Sequence, residues 1–156
     1  MVEVEFNDNS AEVLRILRGA TLSAAEIVGG MWESNAKGLV SIPRRLATEL
    51  RNSIDHQVEE TAEGPVLTVG SNMEEAPYVE LGTGKHYDPP PEWLENHAKG
   101  GKGQAGLEQW IFFDELEGKF RIGTPQEAHP FLRPAMLDNI EQYKQVIQGE
   151  LENAAE

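Results

Sequence analysis

The spacing of apolar residues changes twice along the chain, and this change limits the fold more than any other feature of the sequence. Apolar side chains recur at helical spacing over residues 14–31, whereas residues 54–58 alternate between apolar and polar, as in a half-buried strand. Helical spacing returns near the end of the sequence, in a stripe formed by Met136, Ile140, Tyr143, Ile147 and Leu151. Helices on both sides of strand-forming segments predict the α+β class, with an antiparallel sheet.

The first helix has recognisable start and stop signals. Asn9 or Ser10 suits the N-cap of a helix that begins at Ala11, because a short polar side chain accepts a bond from an orphan backbone N–H. The pair Gly29-Gly30 weakens the end of this helix. Residues 34–42 are therefore predicted to be a loop.

The later elements complete a single domain over residues 1–156. We expect an antiparallel sheet of about four strands, packed against the N-terminal helix and a long C-terminal helix. In order, the elements are a short helix after Pro43, a hairpin turning at Glu63-Gly64, an extended or helical piece at 76–81, a hairpin turning near Glu117-Gly118 and a terminal helix from Pro134.

Residues 85–107 are predicted to form a mobile loop. Pro89–Pro91 cannot join a helix interior or a central strand, and the segment KGGKGQAG at 99–106 has the composition of a flexible linker. Trp93 lies within this loop and Trp110 closely follows it. They are either a loop anchor and a sheet residue, or anchors at a partner surface, where aromatic side chains are enriched.

The charge balance bears on nucleic-acid partners. The chain has 13 Lys and Arg against 27 Asp and Glu, a formal net charge of −14. Binding to DNA normally gains from cationic side chains that neutralise phosphates, so sequence-specific nucleic-acid binding is not expected. An acidic lumen would instead let DNA pass without sticking.

Cysteine and long apolar segments are both missing from the sequence. Without cysteine, disulfide and thiol chemistry are excluded. The acidic N-terminal segment lacks the apolar run of a secretory signal, and no stretch approaches the roughly 20 apolar residues that span a bilayer. We expect no membrane partner and a product made in the cytoplasm.

No motif predicts a catalytic, cofactor or metal site. The segment GTGKH at 82–86 lacks the spacing of a phosphate-binding loop, and neither Ser nor Thr follows its Lys. None of the four histidines is paired at metal-ligand spacing. His86 and Asp88 could share an ion, but beside three prolines they are interpreted as solvated loop residues. We therefore expect no enzymatic activity, no cofactor and no metal.

Two longer segments carry more specific information. The first is APYVELGTG at Ala76–Gly84, preceded by VGSN at Val69–Asn72, and the second is HPFLRPA at His129–Ala135. Both resemble signature segments of the tail-component, or neck, family of long-tailed bacteriophages, typified by gene product ten of the Hong Kong ninety-seven phage.

Two further segments resemble the same family in the same order. They are TELRNSI at Thr48–Ile54 and WIFFDELEGKF at Trp110–Phe120, so the resemblance covers roughly residues 40–150. Glu49 stands where the family usually has Gly, which favours a helix before the first hairpin. The first 35 residues match only in being an amphipathic helix.

The resemblance implies a structural virion protein that joins head to tail or completes the upper end of the tail. It implies a ring of copies around the DNA channel, with head-closure or tail proteins as the other partners and synthesis in the bacterial host cytoplasm. In such a ring one subunit's sheet edge or terminal helix is expected to pack on its neighbour across a heterologous interface. The assembly or structural motif would comprise Tyr78, Glu80, Gly82, Thr83, Gly84, Pro130, Phe131, Arg133 and Pro134.

Several motif residues carry physical expectations of their own. Gly82 and Gly84 permit backbone angles that are closed to other residues. Phe131 is expected to fasten the terminal helix to the sheet. Glu80 and Arg133 are candidates for a charge pair at that junction.

Two alternatives come from other functional classes. An acidic mimic of DNA that blocks a host nuclease would explain the net charge, but not the two motif segments. A small hydrolase using the His86–Asp88 region is the second alternative, and no feature of the sequence names its substrate.

Overall fold

The computed structural model describes residues 8–42, 44–87, 106–114 and 117–155. The predicted α+β class is confirmed, as are an N-terminal helix, a C-terminal helix and four antiparallel strands. Most of the predicted mobile loop, residues 88–105, lies outside the described residues. The elements are α1 (Ser10–Leu39), α2 (Arg44–Ser53), β1 (Ile54–Thr61), β2 (Gly64–Ser71), α3 (Ala76–Leu81), a 3₁₀ turn (Gly84–His86), β3 (Trp110–Asp114), β4 (Lys119–Gly123), α4 (Leu132–Leu137) and α5 (Ile140–Ala154).

The four strands form two separate hairpins rather than one sheet. β1 pairs with β2 from Ile54 opposite Ser71, and β3 pairs with β4 from Trp110 opposite Gly123. Alternation and turn residues specify pairing within a hairpin, as predicted. They carry no information on whether two hairpins join edge to edge. The sequence therefore could not distinguish one four-stranded sheet from the two separate hairpins that the structure has.

Helix α1 continues to Leu39 and so includes most of the segment 34–42 that was predicted as a loop. Gly29 weakens the helix only intrinsically, by about 1 kcal/mol. A Cβ atom at Gly29 would lie 2.4 Å from Cδ2 of His56 and 2.8 Å from Cδ1 of Leu67, so this glycine allows the first hairpin to pack directly on the helix. The predicted side-chain cap is also wrong, because Asp8 Oδ1, not the Asn9 side chain, accepts the Ser10 N–H at 2.9 Å.

The core lies where both N-terminal helices meet the start of β1 and the segment before α4. Among the described residues, the largest side chains below 2% exposure are Phe131, Leu50, Ile54 and Val40. Alanines at helix contacts make up much of the rest of this cluster. The core is therefore small for a chain of 156 residues.

The predicted terminal helix is two helices, α4 and α5. In a continuous helix the carbonyl of Ala135 would accept the backbone N–H of Asn139, which here bonds Met136 O instead. The Asn139 side-chain amide and the Tyr143 hydroxyl donate to that carbonyl, at 3.0 and 2.8 Å. These side chains replace the helical bond, and the chain turns at Asp138.

Helix α5 packs antiparallel along α1. Asn35 donates to the Tyr143 hydroxyl at 3.0 Å, and Ser23 donates to Glu150 at 2.6 Å, so numbering rises in one helix as it falls in the other. Within the part of the chain that is described, no helix combines the length and apolar character needed to cross a membrane.

Candidate functional site

Glu80 joins the two segments on which the family resemblance rests. Its Oε2 accepts backbone N–H bonds from Phe131 at 2.6 Å and from Leu132 at 2.9 Å, and its Oε1 accepts that of Arg133 at 3.0 Å. These N–H groups lie at the start of α4, where they have no partner within the helix and the positive end of the helix dipole favours an anion. A carboxylate from α3 thus caps α4.

Arg133 contributes its backbone rather than its guanidinium group. The predicted charge pair between Glu80 and Arg133 is therefore wrong, because backbone N–H groups engage both carboxylate oxygens. The Arg133 residue itself is exposed.

Backbone bonds extend this contact along both segments. His129 N–H donates to Val79 O at 2.7 Å, and Thr83 N–H donates to Gln126 O at 2.9 Å. The Thr83 hydroxyl in turn accepts the Gln126 N–H at 2.8 Å, and Thr83 is only 7% exposed. We call this unit, from Val79 to Thr83 and from Gln126 to Arg133, the motif junction.

Gly82 and Gly84 occupy positions that no other residue fits. Their φ angles are +75° and +59°, in the left-handed region. A Cβ at Gly82 would lie 2.8 Å from His86 O, and a Cβ at Gly84 would lie 2.6 Å from Leu107 O. Both glycines are therefore required for the sharp exit from α3, as their positions in the motif predicted.

Phe131 anchors the motif junction in the core. It is fully buried, and its core cluster includes Val40, which directly follows α1, and Leu50 of α2, with Ile54 from the start of β1. The terminal segment is thus fastened chiefly to the N-terminal helices, and the first hairpin contributes Ile54 and the half-buried Val69. The Trp32 indole N–H donates to Leu132 O at 3.0 Å and adds a polar link to α1.

The remaining motif residues lie at the edge of this unit. Tyr78 is half-buried near Tyr87, whose pKa is raised chiefly by burial and secondarily by Tyr78. Pro130 is exposed, and Pro134 is half-buried within the first turn of α4, where a missing N–H is tolerated.

A second polar cluster links β1 to α1, and the sequence did not predict it. Nδ1 of His56 lies 2.5 Å from Glu33 Oε2, and its Nε2 lies 3.5 Å from Glu26 Oε2. Hydrogen bonding to Glu33 raises the pKa of His56, and hydrogen bonds from Lys37 and His56 lower the pKa of Glu33. The arrangement favours a protonated imidazole between two carboxylates.

The same cluster contains a possible set of metal ligands. Donor atoms of Glu33, Asp55 and His56 lie within 4.8 Å of one another. The ammonium group of Lys37 already contacts Glu33, however, and both ring nitrogens of His56 face carboxylates. We interpret the cluster as a set of ion pairs between β1 and α1, because a proton on His56 accounts for the contacts of both ring nitrogens with carboxylates. We call this set, His56 with Glu26 and Glu33, the clasp.

The spacing of Glu26 and Glu33 was the one available signal for this clasp. Seven residues on a helix are about two turns, which places both carboxylates on one face. The sequence does not indicate that His56 packs on that face, since the contact depends on the close approach at Gly29.

Of the other residues singled out in the sequence, some lie among the described residues and some do not. His86 lies half-buried in the 3₁₀ turn, while its proposed partner Asp88 is outside the described residues, as is Trp93. Trp110 is half-buried, and its ring lies so near Gly123 that a Cβ there would come within 2.5 Å of Nε1. Trp110 therefore packs within its own hairpin.

Large apolar side chains are more often exposed than buried in the described residues. Sixteen are exposed, against thirteen buried apolar residues, of which six are alanine. Exposed apolar groups of this extent commonly mark interaction sites. Most of them fall in two places, the start of α1 (Val13, Leu14, Ile16 and Leu17) and the second hairpin (Ile111, Phe112, Phe113, Phe120 and Ile122).

Comparison of the chain with protein-family models, with curated proteins and with solved structures finds no match.

Proposed function

We propose that the chain is a structural subunit of the neck or upper tail of a tailed bacteriophage or prophage, assembled as a ring around the DNA channel. The motif junction carries this proposal. The two segments that resemble the family's signatures are far apart in sequence, yet Glu80 bonds the backbone 51, 52 and 53 residues later. A chance resemblance would give no reason for the two segments to form one hydrogen-bonded unit.

The exposed apolar groups support an assembling protein. A chain whose core holds few large side chains, and which leaves sixteen exposed in its described part, gains stability by covering them with other subunits. Their position on α1 and on the second hairpin gives a subunit two separate contact surfaces, as a ring requires.

The charge is compatible with a channel that DNA traverses. A net charge of −14 would repel phosphates from the lumen and keep free subunits soluble before assembly. The partners are then other copies of the chain and the neighbouring head-closure or tail proteins, and the location is the virion.

Deleting the gene from the phage or prophage that carries it tests this function. Electron microscopy of induced lysates is expected to show heads and tails that are separate, and supplying the wild-type chain in trans should restore joined particles. Joined, infectious particles at normal yield in the absence of the chain would overturn the proposal.

An acidic DNA mimic is the second candidate, and the net charge is the observation that favours it. A mimic would bind a basic host nuclease with an affinity that falls steeply as salt rises. Inhibition of nucleases by the purified chain at low salt, together with normal particles after gene deletion, would favour the mimic over the neck subunit.

A further inference from the structure

The second hairpin has one face that is wholly apolar. Ile111 stands opposite Ile122 and Phe113 opposite Phe120, so these four side chains share one face of the β3–β4 ladder. They are 72%, 67%, 51% and 74% exposed, and the two phenylalanine rings meet edge to face at 5.2 Å. We call these four residues the hairpin face.

The opposite face of the same hairpin is mixed: Phe112 is 43% exposed there, whereas the other described residues of that face make contacts within the hairpin. Trp110 packs on Gly123, and the guanidinium of Arg121 lies 2.8 Å from Asp114 and also contacts Glu117. The hairpin therefore exposes most of its apolar surface on the hairpin face, which is turned away from the described residues.

The size of the hairpin face matches part of a stable interface. Its four side chains expose on the order of 500 Å² of apolar surface. A standard interface buries about 800 Å² on each partner, so this face would provide more than half of one side. An isolated two-stranded hairpin is at best marginally stable in water, which favours a covering partner.

The start of α1 is a second uncovered surface. A stripe at steps of four, three, four and four joins Val13, Leu17, Ala20, Ala24 and Val28. The three C-terminal members of the stripe are buried, whereas Val13 and Leu17 are 51% and 40% exposed. Residues 10–19 are all exposed, a stretch of about 15 Å along the helix axis. We call this segment the α1 overhang.

We infer that the hairpin face of one copy packs on the α1 overhang of the next copy. This inference rests on the proposed function and specifies its interface. The two surfaces differ, so their contact is heterologous, and in a closed ring every copy covers one neighbour and is covered by the other. A symmetric contact between two hairpin faces would leave every α1 overhang exposed.

The charges at the two surfaces are complementary. Residues 10–22 carry one acidic and two basic side chains in an otherwise acidic chain. Arg15 is paired with Glu12 at 2.7 Å, while Arg18 has no ion pair among the described residues. Residues 110–123 carry three acidic and two basic side chains, so the two segments have net charges of opposite sign.

Two charge insertions test this interface separately. Phe120→Glu alters the hairpin face, and Leu14→Glu alters the α1 overhang at a side chain that is 56% exposed. Each variant alone is expected to lose self-association, with a dissociation constant raised about 30-fold or more. Val66→Glu, at a residue 51% exposed on the first hairpin, is the charge-matched control and should assemble as the wild type does.

Mixing the two variants provides the decisive observation. Each carries one intact surface of the opposite kind, so native mass spectrometry should detect a one-to-one heterodimer that grows no further. Circular dichroism establishes that both variants fold. Failure to form the heterodimer, or assembly by either variant alone, overturns the interface.

The outcomes separate this interface from the proposed function. A wild-type chain that assembles while the variants do not complement each other retains its ring function but uses other surfaces. A wild-type chain that stays monomeric at high concentration overturns the interface between copies, and the gene deletion then decides the function independently.

Discussion

Replacing Glu80 by alanine is expected to loosen the motif junction more than any other exchange of a single charged residue. The change leaves three backbone N–H groups at the start of α4 without their acceptor. An unsatisfied buried donor costs about 1–3 kcal/mol, and loss of a helix cap costs about 0.5–2 kcal/mol. Water can reach the N–H of the exposed Arg133, so we expect a total loss of about 2–4 kcal/mol in the free energy of unfolding.

Urea denaturation measures this loss against a matched control. Trp32, whose indole bonds Leu132 O, lies beside α4 and contributes to a fluorescence signal that follows its detachment. A loss of 2–4 kcal/mol corresponds to a melting temperature lower by about 6–12 °C. Glu127→Ala, at an exposed residue in the segment before α4, should change stability by less than about 0.5 kcal/mol. Equal stability of the Glu80→Ala and Glu127→Ala variants would refute the capping role.

Three further predictions follow from local contacts and can be checked by the same denaturation assay. Gly84→Ala should lower the free energy of unfolding by about 1–3 kcal/mol, because Gly84 has a φ of +59° and a Cβ there would clash with Leu107 O. Gly149→Ala is the control: it lies in open space on α5 and should raise the free energy of unfolding by up to about 1 kcal/mol. Equal effects of the two substitutions would contradict this reasoning. Hydrogen bonding to Glu33 raises the pKa of His56 in the folded protein, so the clasp stabilises fully below the ordinary histidine pKa of 6.5 and less as the pH rises through the raised pKa. His56→Asn should therefore destabilise the protein most near about pH 6 and least near about pH 9. A loss of stability that does not depend on pH would count against the clasp. Tyr143→Phe should cost about 1 kcal/mol by removing the hydroxyl that links Asn35 to the Ala135 carbonyl, and an unchanged unfolding midpoint would show that these bonds add nothing.

The elements that follow from local pattern were predictable. The alternation of residues 54–58, with a turn at Glu63-Gly64, gave the first hairpin in its observed position. The second hairpin likewise follows from its turn near Gly118, which has a φ of +64°. Glu49 correctly favoured a helix before the first hairpin, and α2 continues to Ser53. In each case neighbouring residues contain the information.

The features that depend on distant contacts were not predictable. From the sequence alone, Gly29 predicts a weakened helix. The structure shows that it permits the close packing of His56 on that helix. The stripe through Tyr143 fits one continuous helix, yet the Tyr143 side chain competes for the carbonyl that would have continued it. The pairing of Glu80 with Arg133 was inferred from opposite charges, whereas the actual partners are backbone N–H groups that carry no sequence signal.

The division between predicted and missed site residues has the same origin. The motif glycines are identified by a local backbone requirement, and both have positive φ. The clasp of His56 with Glu33 joins residues 23 positions apart through the packing of a hairpin on a helix. The hairpin face is visible in the sequence as alternating apolar residues, but its exposure is a property of the tertiary structure.

Negative-stain electron microscopy of the wild-type chain, purified together with the products of its neighbouring genes, tests the central claim most directly. A neck or tail subunit should appear as closed rings with a central opening, bound to a head-closure or tail protein. Particles of single-subunit size with every such partner would contradict the claim.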